Sequence, residues 1–180
     1  IITTNHQYLA ILLLLSYEEL EEIEWRAASE GAVMSYAAEL LDYLNASGIR
    51  TAVISNICWS GKALTNRLNR LLPHNRFEFV MASSEYILRK PDQMLFETAL
   101  RKAGVRADQV WYCGDNMKAD VIGAHNAGIF PVLYEGDTPD EGNPVLGQNA
   151  EGKADFAYLH LHDWREMIQL LQKLDGQEIS

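Results

Sequence analysis

Residues 113–120 read Cys-Gly-Asp-Asn-Met-Lys-Ala-Asp, and this stretch decides the fold. Before it, residues 110–113 form a short apolar run of β-forming side chains, bounded like a buried strand. After it, apolar residues recur at helical spacing up to Gly128, which predicts a helix that ends at this glycine. The stretch therefore places a turn rich in polar groups between a strand and a helix. In an open parallel sheet, ligands bind at that edge.

Two carboxylates, Asp115 and Asp120, lie five residues apart in this turn. Both can face one crevice, and oxygen ligands of this kind suit Mg²⁺. The alternative interpretation is that Asp120 is an acid in the first turn of a helix, favoured by the helix dipole, and that Asp115 is a loop acid. Their spacing alone does not separate the two interpretations.

Length and charge limit the function classes. A chain of 180 residues, 48% hydrophobic and 22% charged, is typical of one soluble globular domain with room for an insertion. The net charge of −10 argues against nucleic acid and anionic membrane surfaces as partners. It does not exclude small phosphorylated molecules, because the local charge at a site can oppose the total.

The two cysteines, Cys58 and Cys113, are far apart, which predicts reduced thiols in a cytoplasmic protein. Because the sequence contains neither a CxxC pair nor a Cys/His cluster, a zinc site is not expected. The longest apolar run, residues 9–15, is too short to span a bilayer.

The rest of the chain predicts strands that alternate with helices. The predicted strands cover residues 50–56, 77–82, 110–113, 129–133 and 156–159. The predicted helices cover residues 8–30, a segment ending at Gly48, a segment around 64–72, a segment from 91 to Gly104, the helix after Asp120, and residues 164–174. Residues 135–153 predict a loop, and Pro131 predicts that its strand lies near a sheet edge. Such alternation is typical of an α/β fold, with a mostly parallel sheet covered by helices on both faces.

Polar residues form three clusters along the chain, each at a strand end or a helix start on one side of this predicted sheet. Ser55 and Asn56 end one strand, Lys90 precedes a helix, and Asp115 and Asp120 flank the third turn. A hydroxyl, a side-chain amide and backbone N–H groups bind phosphate oxygens, and a lysine supplies a compensating cation. The carboxylates are suited to hold Mg²⁺ against the same phosphate.

In these motifs the sequence resembles the haloacid dehalogenase-like (HAD) hydrolase superfamily, over about residues 31–174. Ser55-Asn56 corresponds to the second motif, Lys90-Pro91 to the third, and residues 114–128 to the fourth motif in its phosphatase-type form. The resemblance implies a Rossmann-like sheet, a helical cap, and phosphoryl transfer through an aspartyl-phosphate with Mg²⁺ as cofactor.

The resemblance also implies a role for each motif residue. Ser55 would hold a phosphoryl oxygen, assisted by the backbone at Asn56, and Lys90 would neutralise charge between phosphate and nucleophile. Asp115 would be an Mg²⁺ ligand, and Asp120 a second ligand or the partner that orients the first. The metal-independent dehalogenases of the superfamily lack this Gly-Asp arrangement, so Asp115 favours phosphate chemistry over carbon–halogen cleavage.

The family's first motif, a strand ending in Asp-x-Asp, has no counterpart in the chain. Asp42 is the only Asp before residue 55, and it lies in a predicted helix. We therefore expect residues 1–30 to be the remnant of a helical cap, and residues 31–180 to be a HAD-like core without its first strand. The nucleophile would then lie outside these 180 residues.

The primary interpretation is an Mg²⁺-dependent phosphatase acting on a small phosphorylated metabolite. The alternatives are a non-catalytic HAD-like binding or regulatory module and a phosphomutase. A response-regulator receiver domain shares the sheet-edge acids and the lysine, but the two N-terminal helices and the long loop fit it poorly. The sequence predicts neither the identity of the substrate nor the oligomeric state.

Overall fold

The structure is a computed structural model that describes residues 15–136 and 155–177. Its helices are α1 (Tyr17–Ala28), α2 (Ala37–Ala46), α3 (Gly61–Leu71), α4 (Gln93–Ala103), α5 (Gly123–Asn126) and α6 (Trp164–Gln177). Its strands are β1 (Val53–Ser55), β2 (Val80–Ala82), β3 (Trp111–Gly114), β4 (Phe130–Tyr134) and β5 (Leu159–Leu161). A π-helical segment, Met117–Ile122, leads directly into α5, and short 3₁₀ turns cover Ser83–Glu85 and Ala107–Gln109.

All strand pairs in the described chain are parallel, as the alternation of strands and helices predicts. β1 pairs with β2, and a second sheet has the order β3-β4-β5. Parallel strands need crossover connections. Helix α3 supplies the one from β1 to β2, and the π-helical segment with α5 supplies the one from β3 to β4. The carboxyl ends of strands within one sheet therefore point the same way.

Helices cover both faces of β4. On one face, Val132 packs with Leu40 of α2 and Met167 of α6. On the other face, Leu133 packs with Met117 and Val121 of the π-helical segment. Burial on both faces explains why the strand is apolar throughout, and the predicted α/β fold class is confirmed.

The two sheets meet through α4. Leu95 of this helix packs on Met81 of β2, while Phe96 packs on Tyr112 of β3. The Tyr112 hydroxyl also donates a hydrogen bond of 3.1 Å to the carbonyl oxygen of Ile54 in β1. Side chains thus connect β1 to β3 within the described residues, where no strand pairing joins them.

β1 and β3 each have one edge that pairs with no other strand of the described chain. An apolar parallel strand is normally paired on both sides, because its backbone N–H and C=O groups need partners. A strand between β1 and β3, supplied by residues outside the chain, stays a prediction.

The prediction that Pro131 lies near a sheet edge is wrong, because β4 is the central strand of its sheet. The Phe130 N–H donates to Val110, on the β3 side. The next backbone nitrogen therefore points toward β5, whose pairing with β4 begins only at Val132. Pro131 consequently sits where no ladder hydrogen bond needs its missing N–H.

Helix α1 is shorter than the predicted helix over 8–30, and residues 8–14 lie outside the described residues. Ser16 and Glu19 form a capping box at its start. Glu21 accepts hydrogen bonds from the backbone and hydroxyl of Ser60, and Trp25 stacks on Trp59 with ring centroids 5.5 Å apart. α1 thus packs beside the loop that follows β1. Its assignment to a cap remnant stays a prediction.

Most of the loop predicted over 135–153 lies outside the described residues. Within the described part of the chain, none of the helices combines the length and apolar character needed to cross a membrane. Cys58 and Cys113 are both free thiols, as their separation predicts.

Candidate active site

The candidate site lies where β1 and β3 end. Ser55 is the last residue of β1, and Asp115 directly follows the last residue of β3. Lys90 comes from the loop before α4, and Asp120 from the π-helical segment. The structure brings Lys90 and Asp120 together, with Lys90 Nζ 2.6 Å from Asp120 Oδ1.

The Lys90–Asp120 ion pair is buried. The side chains are 11% and 3% exposed, respectively. Lys90 Nζ also donates a hydrogen bond of 2.8 Å to the Tyr112 hydroxyl. An ammonium group has three N–H donors, so these two contacts leave one donor for a ligand.

Both carboxylate oxygens of Asp120 are engaged by protein donors. Oδ1 accepts from Lys90, and Oδ2 accepts from the backbone N–H of Asn116 at 3.0 Å. The Asn116 side chain in turn accepts from the Ala119 N–H at 2.8 Å and caps the π-helical segment. Asp120 lies in the first turn of the helical segment, as the helix-dipole interpretation predicts. It is buried and paired with Lys90 rather than exposed to solvent.

Asp115 is the exposed carboxylate of the pair. Its pKa is raised above the ordinary value, first by loss of solvation and then by the negative charge of Asp120, although Lys90 opposes this. In addition to this loss of solvation, two carboxylates face a single lysine, which leaves an excess of negative charge. A divalent cation would relieve it, and carboxylate oxygen suits Mg²⁺. Asp115 therefore offers one oxygen donor of the kind that fits the metal.

Asn56 acts through its side chain on the Lys90 loop. Its Nδ2 donates to the Lys90 carbonyl oxygen, and its Oδ1 accepts from the Lys90 N–H, both at 2.9 Å. The side-chain amide that the sequence makes available to phosphate is thus used within the protein. The backbone N–H of Asn56 and the second hydrogen on its Nδ2 remain for a phosphate oxygen. None of the described residues hydrogen-bonds the Ser55 hydroxyl.

Tyr112 is the residue of this site that sequence reasoning misses. It reads as one member of an apolar strand, yet its hydroxyl accepts from Lys90 and donates to Ile54. Burial and the nearby Asp120 charge raise its pKa well above the ordinary value, so the phenol stays neutral. Strand alternation, which places Tyr112 on the same face as Gly114, was the available signal.

Gly114 permits the close approach of Asp120. A Cβ at this position would lie 2.5 Å from Asp120 Cβ, and Asp120 cannot move away without breaking the bonds to Lys90 and Asn116.

We predict that Gly114→Ala lowers the free energy of unfolding by about 1–3 kcal/mol through overpacking, and displaces Lys90. Urea unfolding measures the first effect. Gly176→Ala is the matched control, because a Cβ there meets nothing within 4 Å, and in a helix it should be neutral or stabilising by up to about 1 kcal/mol. A Gly114→Ala protein as stable as the wild type would contradict this role.

The sequence profile of the haloacid dehalogenase-like hydrolase family matches residues 14–133. The chain belongs to this family. Its sequence is 33% identical over 96 residues to a glyceraldehyde 3-phosphate phosphatase from Methanothermobacter thermautotrophicus, covering 52% of this chain and 41% of that protein. It is 27% identical over 117 residues to a ribulose-1,5-bisphosphate 5-phosphatase from Halopiger xanaduensis, covering 64% and 48%.

Among solved structures, the crystal structure of a HAD phosphatase from Thermococcus onnurineus aligns with a TM-score of 0.63 at 22% identity, covering 87% of this chain and 65% of that one. This likeness confirms the predicted Rossmann-like HAD fold. The chain spans less than half the length of the two curated HAD relatives.

Proposed function

We propose that the protein containing this chain is an Mg²⁺-dependent phosphatase of the HAD family, acting on a small phosphorylated sugar. The observation that carries the proposal is the buried Lys90–Asp120 pair beside an open carboxylate, Asp115, at the strand edge that also holds Ser55. A lysine with one donor left and a carboxylate with excess negative charge suit a phosphate and a divalent cation, respectively.

In the proposed site, the Ser55 hydroxyl and the Asn56 backbone N–H bind the phosphoryl oxygens. Lys90 donates its remaining N–H to the same group, while Asp120 and Tyr112 hold the ammonium in place. Asp115 holds Mg²⁺, and we assign Asp120 as the positioning residue rather than a second ligand because its oxygens are already engaged. Mg²⁺ would supply charge stabilisation for the transferring phosphoryl group.

The phosphoryl acceptor in this proposal is an Asp carboxylate outside the 180 residues. The bond between phosphorus and the ester oxygen breaks as the aspartyl-phosphate forms, and the leaving alkoxide takes a proton from water to become the alcohol. Water then hydrolyses the aspartyl-phosphate, which releases phosphate and restores the carboxylate. A strand between β1 and β3 would end beside Ser55 and Asp115, because parallel strands end at one edge.

The substrate class rests on the two curated relatives, whose names specify a triose phosphate and a pentulose bisphosphate. Net charge of −10 argues against nucleic acid as the phosphorylated partner. The two free thiols suit a cytoplasmic location.

The deciding experiment combines intact mass and N-terminal sequencing of the purified native protein with hydrolysis of an aryl phosphate, with and without Mg²⁺. We expect a mass above 20.3 kDa, an upstream Asp-x-Asp, and turnover only with Mg²⁺. A folded native protein that begins at Ile1 and shows no turnover would overturn the proposal in favour of the non-catalytic module.

We predict that Mg²⁺ binding weakens as the pH is lowered. The pKa of Asp115 is raised above 3.8 in the folded protein, so protons compete with the metal at higher pH than for an ordinary aspartate. The same shift means that the metal-free protein loses stability as the pH rises through this pKa. Calorimetric titration with Mg²⁺ from neutral pH down to about pH 4 checks the prediction, and a constant affinity across that range would contradict it.

A further inference from the structure

Two histidines and a glutamate come together beside β4 and β5, at the edge of the three-stranded sheet opposite β3. Glu135 directly follows β4, His160 lies within β5, and His162 directly follows β5. One ligand atom from each of the three side chains lies within 4.8 Å of the other two. All three residues are exposed, so a dissolved ion can reach them. None of them belongs to the site described above.

The pairing of β4 with β5 holds this cluster in register. Leu133 pairs with His160, and the Glu135 N–H donates a hydrogen bond of 2.8 Å to the Leu161 carbonyl oxygen. Side chains two residues apart on a strand share one face, so Glu135 on one strand and His160 and His162 on the next all project to the same side. The parallel ladder therefore fixes the backbone of the cluster. Rotation of the three side chains is enough to bring their ligand atoms around one ion.

The hydrogen bonds of the cluster define where its protons are. His160 Nε2 lies 2.8 Å from Glu135 Oε2, and because a carboxylate accepts, Nε2 carries the proton. His162 Nδ1 lies 3.4 Å from the Glu135 carbonyl oxygen, which also only accepts, so Nδ1 carries the proton there. In the neutral ring, this leaves the lone pair of His162 on Nε2. A backbone carbonyl that accepts from the second ring nitrogen is a common way to orient a metal-binding histidine.

We propose that Glu135, His160 and His162 form a binding site for a divalent transition-metal ion of the zinc type. Two imidazoles and one carboxylate are a typical three-ligand set for Zn²⁺, with a fourth position left to water. Nitrogen ligands also discriminate against Mg²⁺, which prefers oxygen. Ligand atoms of a tetrahedral Zn²⁺ at about 2.1 Å stand about 3.4 Å apart, so modest rotation of these side chains closes the set. When the ion binds His160 Nε2, that nitrogen gives its proton to water and Nδ1 takes one from water, so the ring stays a neutral imidazole.

This proposal revises the sequence-based expectation that zinc is absent. That expectation rests on the lack of a Cys/His cluster, and Glu135 is distant in sequence from the two histidines. The residues meet only because β4 and β5 are neighbours. The site is also independent of the proposed phosphatase activity, because it shares no residue with the Lys90 and Asp115 cluster.

The test is calorimetric titration of the full-length, metal-stripped protein with Zn²⁺, repeated with Co²⁺ as an optical probe of coordination. We expect one Zn²⁺ per cluster, and we expect His160→Gln, His162→Gln and Glu135→Gln each to weaken binding at least about tenfold. His125→Gln is the matched control, because His125 is an exposed histidine that stacks on Phe156 outside the cluster.

Thermal unfolding in the presence of a chelator verifies that the three variants fold, which is expected because the side chains are exposed. Zn²⁺ affinity that is equal in the wild type and the three cluster variants would overturn the proposal, as would the absence of any binding. Loss of binding in the His125 variant, with the cluster variants unaffected, would place the ion elsewhere and would equally overturn it.

Discussion

Asp115→Asn should lower Mg²⁺-dependent phosphate release by orders of magnitude while the fold stays intact. The metal is worth several kcal/mol to the transferring phosphoryl group, which corresponds to a loss of about 10²–10⁴-fold in turnover. Stability should not fall, because loss of solvation and then repulsion from Asp120 raise the pKa of Asp115, so the site favours an uncharged side chain. Asn keeps the shape of the side chain and removes that repulsion. The measurements are aryl phosphate hydrolysis and thermal unfolding of the metal-free protein.

The control for this substitution is Asp42→Asn. Asp42 is exposed on α2 and is the only Asp before residue 55, so its variant also tests whether Asp42 serves as the nucleophile. We expect wild-type turnover from it. Mg²⁺ should raise the unfolding temperature of the wild type and of the Asp42 variant but not of the Asp115 variant. Near-normal metal-dependent activity in the Asp115 variant would refute the assignment of the metal ligand.

Lys90→Met should remove activity and also destabilise the protein. The substitution leaves Asp120 buried without its cation, and breaking a buried ion pair by removing one partner costs about 3–5 kcal/mol. The Lys90–Asp120 pair is buried in this sense, because the Asp120 side chain is 3% exposed. Lys62→Met is the matched control, since Lys62 is an exposed lysine on α3, and it should change neither stability nor turnover appreciably.

The double variant Lys90→Met/Asp120→Asn separates the structural role of the pair from its chemical role. Asn keeps the volume of Asp120 and removes the unpaired charge, so most of the lost free energy of unfolding should return. Turnover should stay absent, because no cation faces the phosphate. A double variant as unstable as the single variant would show that charge burial is not the cause of the destabilisation. Recovery of turnover would refute the role of Lys90 in phosphate binding.

The predictable parts of the fold depend on local pattern. The apolar run before Gly114, the helical spacing after Asp120 and the glycine stop at Gly104 mark elements that the structure places within a few residues of the predicted bounds. Each of these signals arises from residues close together in the chain. The same applies to the motif residues, whose positions at strand ends follow from where the strands stop.

Pairing between distant segments set the features that local pattern missed. Pro131 is a local edge signal, but the stagger of β5 against β4 lets it occupy a central strand. Tyr112 reads as a core side chain until the Lys90 loop is packed against it. The Asn56 amide is directed to the Lys90 backbone only because two loops, 34 residues apart, meet.

The sequence by itself determined the α/β class, the family resemblance and the identity of Ser55, Lys90, Asp115 and Asp120 as the residues to examine, because short motifs and periodicity carry that information. Only the tertiary structure distinguished the environments of the two aspartates, since burial and hydrogen bonding depend on neighbours from other segments. It buried Asp120 against Lys90 and left Asp115 open. It also brought Glu135 to the two histidines, because the order of strands in a sheet is a property of the folded chain.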